Sequence, residues 1–345
     1  MSDPNNPNIN SRSTPQYYAS SNAGQSYTHL ANRQAFYRHR IIPRMLIDTN
    51  TRDTSTTIFG HKVSAPIGFA PIGINKIYHP LGELPVAKIA KELNLPYCLS
   101  TAGSYPIEDV GAANGAGPRF FQLYMPHDDE LTISLLQRAH DNGFTACILT
   151  LDTWQLAWRH HDEAQSNYAF YHGVGADLGL SDPVFQKRLK EKGIDAKKQP
   201  NEAGRCGLIM RISGGKPFCL KGIQSVVDAR KAVELGVDGI VVSNHAGRQV
   251  DGAVASLDAL EKIVDAVGEK TYIMFDSGVR GAADIFKALA LGARELGVRH
   301  VMKSLLADFD ILMNVSGYQS VDQITRDSID SLPNSAAMIA EKSKL

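Results

Sequence analysis

The chain of 345 residues is 43% hydrophobic and 21% charged. That is enough apolar material for a full core, either as one α/β barrel of about 250 residues with additions or as two smaller domains. Lysine plus arginine and aspartate plus glutamate balance at 36 each, so no net field points to nucleic acid or to an anionic membrane surface. No apolar run approaches the ~20 residues that cross a bilayer, and the Asn-, Pro- and Ser-rich start carries no signal-peptide core, so neither nucleic acid nor membrane is expected as a partner.

Residues 1–13 read as disordered, and 14–36 as a polar, partly helical lead-in that carries the adjacent pair Tyr17 and Tyr18. A strand-then-helix rhythm begins after Ser64. Ala65 to Ala70 is strand-like, and Gly82 to Leu93 places Val86, Ile89, Ala90 and Leu93 on one helical face. Strands are expected at Pro96–Ser100, Arg119–Tyr124 and Ala146–Thr150, with a helix over Asp129–Asn142. The segment 154–215 interrupts the rhythm with a long polar excursion holding one expected helix near Asp182–Lys192. Pro217–Lys221 restores it. Ser225 with Asp228 three residues on resembles a capping box, opening a helix that turns Val226, Ala229 and Val233 inward. Gly239–Ser243 and Tyr272–Asp276 are the next strands, followed by helices at Leu257–Val267 and Ala283–Leu291 respectively.

Seven such units predict a parallel TIM-type (β/α)8 barrel over 37–325, with a tail at 326–345. The eighth strand is expected to be deleted or incomplete. Ala293 to Gly297 is short and polar for a buried strand, whereas Val298, Val301, Met302, Leu305, Phe309 and Leu312 form the stripe of the helix that would follow it.

A barrel of this kind gathers the carboxyl ends of its strands. Gly73, Ser100, Gln122, Tyr124, Thr150, Asp152, Lys221, His245, Arg248, Asp276 and Arg280 stand there, and Arg159 opens the excursion. Arginines suit carboxylate or phosphate, and a histidine one turn from an arginine suits proton transfer beside a bound anion. Metal ligands at usable spacing, a Gly-x-Ser-x-Gly elbow and a P-loop are absent, so a hydroxyl or carboxylate substrate with a phosphate-bearing cofactor fits better than hydrolysis, and no metal site is expected. The four cysteines, Cys98, Cys147, Cys206 and Cys219, lack metal spacing and read as reduced structural thiols.

Five ordered segments, Phe-Phe-Gln-Leu-Tyr (120–124), Leu-Thr-Leu-Asp-Thr (149–153), Leu-Lys-Gly-Ile (220–223), Ser-Asn-His-Ala-Gly-Arg-Gln-Val-Asp (243–251) and Asp-Ser-Gly-Val-Arg-Gly (276–281), resemble the signatures of the FMN-dependent 2-hydroxy-acid oxidases and dehydrogenases, the family of glycolate oxidase and lactate oxidase. The similarity runs from about Tyr17 to about Ile324. Gly179–Phe185 and Trp154–Arg159 resemble most the lactate 2-monooxygenase branch.

The resemblance implies oxidation of a small L-2-hydroxy acid, lactate or glycolate in class, to the 2-oxo acid with O2 as acceptor. Oxidative decarboxylation of the monooxygenase type is the first alternative. In the implied roles His245 is the base, oriented by Asp152; Arg248, Arg159 and Tyr17 hold the substrate carboxylate, and Tyr124 bonds the substrate oxygen. Lys221 stands by the flavin N1/O2 edge, while Ser100, Gln122 and Thr150 bond the isoalloxazine, with Ala70, Pro71, Ile72 and Gly73 beneath it. Asp276 and Arg280 meet the ribityl and phosphate portions, with Ser243 and Gly278 also among the cofactor-binding residues. A homotetramer is implied as well.

The chain departs from the family where relatives have an eighth strand ending in a phosphate-binding Gly-Arg-Pro, and Ala246 stands where Gly is usual. Weakened FMN retention, and a catalytically impaired member as second alternative, follow as expectations. The final Ser343-Lys344-Leu345 matches the peroxisomal address, which implies a peroxisomal import receptor as partner; if the address is not used, the location is cytoplasmic.

Overall fold

Short β-branched and aromatic runs, each bounded by Gly, Pro or polar residues, become strands, and the apolar-periodic stretches between them become helices. The computed structural model describes residues 21–126, 128–164, 175–194, 216–298 and 302–332. Tyr17, Cys206 and the terminal Ser-Lys-Leu lie outside the described residues.

Ahead of the barrel stand α1 (Tyr27–Ala35), β1 (His39–Ile41) and a hairpin of β2 (Thr56–Ile58) and β3 (His61–Val63). Eight parallel strands follow: β4 (Ile67–Phe69), β5 (Tyr97–Ser100), β6 (Arg119–Leu123), β7 (Cys147–Thr150), β8 (Phe218–Ile223), β9 (Gly239–Val242), β10 (Tyr272–Phe275) and β11 (Glu295–Val298). They pair in chain order and β11 pairs with β4, which closes the barrel. The helices between and after the strands are α2 (Glu83–Glu92), α3 (Ile107–Asn114), α4 (Asp129–Asp141), α5 (His160–Ala164), α6 (Asp177–Leu180), α7 (Pro183–Glu191), α8 (Val226–Glu234), α9 (Ser256–Val267), α10 (Ala282–Ala290) and α11 (Met302–Ser316). Finally β12 (Ile329–Ser331) returns to pair antiparallel with β1.

Alternation along each strand divides the core into two shells. Cys98, Phe120, Ile148, Cys219, Val241 and Met274 form one cluster with Ile58 and Val63, so the β2–β3 hairpin plugs the amino-terminal end of the barrel. Leu99, Phe121, Leu149, Val242 and Phe275 belong to the larger cluster under the helices, where Leu257, Leu260 and Ile263 give α9 its buried face. The described thiols of Cys98, Cys147 and Cys219 are free, and burial pushes that of Cys147 up to about 12. The Ser225 side chain caps α8, its Oγ accepting from the Asp228 amide at 3.0 Å. Helix α3 is an element the sequence reading passed over.

The expected loss of strand eight is overturned. Glu295–Val298 has four residues, as do β5, β7, β9 and β10. It lies in register with Met274 and Phe275 on one side and with Ile67, Gly68 and Phe69 on the other. No barrel edge is left open at β4 or β10, and Val298 belongs to the closing strand rather than to the last helix, which is described over Met302–Ser316. Polarity misleads here because the two charged residues at the start of the strand go separate ways. Arg294 lies 5.8 Å from the Tyr272 ring centroid, and Glu295 turns inward over Gly68, where a Cβ would collide with its Oε1. Burial pushes the Glu295 carboxyl up to about 8, so the residue is accommodated largely as the neutral acid.

Candidate active site

The fully buried run of β9 delivers the loop Ser243–Asp251 to the carboxyl end of the barrel. Asn244 fixes the loop: its Oδ1 accepts from the Gly247 amide at 3.1 Å and from Asn32 Nδ2 at 2.8 Å, and its Nδ2 donates to Asn32 Oδ1 at 2.7 Å. That exchange ties the loop to α1. Two consecutive non-glycine residues, His245 (φ 57°) and Ala246 (φ 56°), adopt the left-handed conformation, a local cost offset by the bonds around them.

His245 Nδ1 lies 2.7 Å from Asp152 Oδ1, and Thr153 Oγ1 donates to the same carboxylate oxygen at 2.8 Å. Carboxylate on Nδ1 sets the tautomer: Nδ1 carries the proton and Nε2 keeps its lone pair, 3.5 Å from the Tyr124 hydroxyl. Burial lowers the His245 pKa against the upward pull of Asp152, so the ring is a neutral base at neutral pH. Burial alone would raise the Asp152 carboxyl, but Lys221 and His245 hold it down to about 2.

Lys221 is buried at the strand end with its Nζ 2.8 Å from Ser243 Oγ, 3.2 Å from Asp276 Oδ2 and 4.0 Å from Asp152 Oδ2. Burial would depress its pKa, yet Asp276 and Asp152 raise it above the ordinary lysine value. The result is a fixed ammonium flanked by two carboxylates.

Lys221, His245, Tyr124 and Asp276 face a cavity of about 670 Å³. One wall is a buried polar chain in which Ser100 Oγ donates to Gln122 Oε1 at 3.1 Å and Gln122 Nε2 donates to Thr150 Oγ1 at 3.0 Å. Ala70, Pro71, Ile72 and Gly73 line the cavity after β4, and a Cβ on Gly73 would come within 2.9 Å of Ala102 Cβ. After β10, Asp276, Gly278 and Arg280 line it as well. Gly278 holds φ 101°, and a Cβ there would meet the Asn32 carbonyl oxygen at 2.8 Å, so the turn needs glycine. Arg159 is buried, its guanidinium donating to the Arg248 carbonyl oxygen and to Gln249 Oε1, both at 3.0 Å. Arg248 donates in turn to the Ser21 carbonyl oxygen at 2.7 Å.

The fold therefore brings Ala70 to Gly73, Ser100, Gln122, Tyr124, Thr150, Arg159, Lys221, His245, Arg248, Asp276, Gly278 and Arg280 to one cavity. Asp152 and Ser243 do not line it. They stand behind His245 and Lys221: Asp152 bonds His245 Nδ1, and Ser243 Oγ accepts from Lys221 Nζ. Three contributors escaped the sequence reading. Thr153 braces Asp152; Gln249 holds Arg159 and donates to the Asp152 carbonyl oxygen at 2.9 Å; and Ser277 Oγ accepts from the Ala246 amide at 2.9 Å. Their signal was adjacency, since each sits inside a motif beside a residue already singled out.

The sequence profile of FMN-dependent dehydrogenases matches residues 10–331. An FMN-dependent alpha-hydroxy acid dehydrogenase of Penicillium citrinum is 42% identical over 341 residues, covering 90% of this chain and 85% of that protein. A peroxisomal (S)-2-hydroxy-acid oxidase of Oryza sativa subsp. indica is 35% identical, covering 90% of each. The crystal structure of a mandelate oxidase superposes with a TM-score of 0.77 at 31% identity, over 94% of this chain and 95% of that one.

The cavity fits FMN on its own chemistry. The buried amide and hydroxyls of Gln122, Ser100 and Thr150 match a flat heterocycle's polar edge, the small residues Ala70 and Gly73 leave room for its face, and the Lys221 ammonium suits the edge that gains electrons.

Proposed function

This chain belongs to the FMN-dependent dehydrogenase family, and on that premise we propose that it oxidises a small L-2-hydroxy acid of the lactate and glycolate class to the 2-oxo acid, with O2 as the electron acceptor. It is an FMN-dependent 2-hydroxy-acid oxidoreductase. Bound FMN supplies a two-electron acceptor. The carboxylate of the substrate is held by Arg248 and Arg159, the 2-oxygen bonds the Tyr124 hydroxyl, and Nε2 of His245 takes a proton from the hydroxy acid. Asp152 stabilises the imidazolium that results, and Lys221 offsets negative charge arriving at the cofactor edge. Two protons and two electrons leave the substrate, and O2 takes up both pairs as hydrogen peroxide.

The observation that carries this reading is the pairing of a carboxylate-oriented histidine, Nδ1 to Asp152 at 2.7 Å, with a neutral Nε2 facing the arginine-bearing cavity. The Ser277–Gly281 turn with Arg280 is the proposed phosphate cradle, because β11 runs into Arg299-His300 without the Gly-Arg-Pro of the resemblance. Import through Ser343-Lys344-Leu345 is the proposed route to the peroxisome. Anaerobic addition of lactate or another 2-hydroxy acid to the FMN-loaded enzyme is expected to bleach the 450 nm flavin band, and His245→Ala to slow bleaching by about 10²–10⁴. Failure of every 2-hydroxy acid to bleach bound flavin would sink the proposal.

A further inference from the structure

A second cavity, of about 30 Å³, shares Ala70, Pro71, Lys221, Asp276 and Gly297 with the large one and runs inward from them to Met274 and Cys98 of the barrel interior. It therefore lies beneath the floor of the cofactor site. Lys221, Asp276 and Glu295 are its ionic lining, and the remaining side chains are apolar apart from the Cys98 thiol. A space of this size admits a water molecule, and three polar side chains are enough to hold one.

Glu295 has no part in the chemistry described above. It enters the barrel because Gly68 on the paired strand β4 has no side chain, which leaves room for Oε1. The residue is 6% exposed, and its Oε2 has no hydrogen-bond partner among the described residues. Across the small cavity stands the Lys221 ammonium, 3.2 Å from Asp276 Oδ2. The titratable and charged groups around Glu295 are Lys221 and Cys219 of β8, Cys98 of β5, Tyr272 of β10 with Asp276 after it, and Arg294 beside it in the chain. Burial pushes both thiols and the phenol up, and the flanking carboxylates keep Lys221 an ammonium.

We propose that Glu295 is a positioning residue of the cofactor site: as the neutral acid it leaves the Lys221 ammonium to offset the charge of reduction, and as the carboxylate it opposes reduction of bound FMN across the small cavity. The inference rests on the FMN reading of the large cavity and not on which acid is oxidised. At an effective dielectric of about 20, two unit charges about 10 Å apart change an equilibrium constant by roughly tenfold. Linkage makes the effect reciprocal, so reduction tightens proton binding at Glu295 by the same factor. The two electrons come from the reductant, and the proton that Glu295 takes up comes from solvent.

The test titrates the FMN-loaded enzyme with dithionite against a reference dye, from about pH 5.5 to about 9.5, beside the isosteric and non-ionising Glu295→Gln. Groups common to both proteins, His245 among them, cancel in the comparison. Because burial pushes the Glu295 carboxyl up to about 8, the reduction constants are expected to coincide at the acid end and to part as pH passes that value. At the alkaline end the parent is expected to lie roughly tenfold lower, a shift of about 30 mV for a two-electron couple. Infrared titration of the parent supplies a second reading that needs neither turnover nor the variant's potential. The carbonyl stretch of a protonated buried carboxyl is expected to vanish as pH rises, about one pH unit later in the reduced enzyme than in the oxidised one. Reduction constants that stay in one ratio at every pH overturn the proposal, since a purely structural Glu295 alters stability and not the potential. A carboxyl band that is missing, or whose titration ignores the redox state of the flavin, overturns it as well. Both results leave the hydroxy-acid reading standing, because that reading depends on bleaching by the acids themselves.

Discussion

Glu295 in the eighth barrel strand makes a measurable demand on stability. Its carboxyl is buried, Oε2 has no hydrogen-bond partner among the described residues, and burial shifts its pKa from 4.5 to about 8. In the unfolded chain the group ionises near its ordinary value, so between those two pH values folding binds a proton. Stability from this residue is fully present below pH 4.5, falls as pH rises, and levels off above about 8. At pH 7 the unfolded carboxyl is about 2.5 pH units past its titration, and at 1.36 kcal/mol per unit the folded state is disfavoured by about 3 kcal/mol. That is a substantial part of the 5–15 kcal/mol or so that holds a typical domain together. Glu295→Gln keeps the shape and removes the ionisation. Urea melts of parent and variant at pH 4, 5, 6 and 7 are expected to lie closest at pH 4 and to separate by about 1.4 kcal/mol per pH unit above pH 5, the variant gaining. A stability difference that is flat over this range, or that shrinks as pH rises to 7, would refute both the burial of Glu295 and its place in the closing strand.

Asp152→Asn removes the charge that fixes the Nδ1 proton of His245. The expected loss in kcat is about 10²–10⁴, and because Asp152 raises the His245 pKa, the acid limb of the kcat/KM profile should move to lower pH in the variant; a limb that stays in place would assign it to another group. Ala246→Gly relieves one of the two left-handed residues and should raise stability by about 0.5–1 kcal/mol after the entropy of the added glycine is counted, as read from the thermal midpoint. Destabilisation by more than 1 kcal/mol or so would mean that the Ala246 methyl packs in a way the backbone angles do not reveal.

Much of the barrel was legible because period and punctuation are local properties. A run such as Gly239–Val242 has few fates other than a buried strand, and the polar residues that follow it land at the carboxyl end in any parallel barrel. The motif around His245 likewise carries its chemistry in residue types alone. Strand eight was not legible, since Glu295 and Arg294 look like surface residues until the partners are known. Only register against Met274 and Ile67, and the absence of a side chain at Gly68, make room for a carboxyl inside.

The sequence by itself determined the fold class, the order of the strands, and the identity of the groups able to move a proton and hold an anion, because each of these depends on composition and spacing along the chain. Tertiary structure alone decided which groups face the cavity and which stand behind. Ser243 and Asp152 became supports for Lys221 and His245, Gln249 became the brace of Arg159, and α7 came to rest on α4 through Asp182 and Ser134. Those outcomes are distances between residues about twenty to about a hundred positions apart, set by how eight strands close, and no local pattern encodes them.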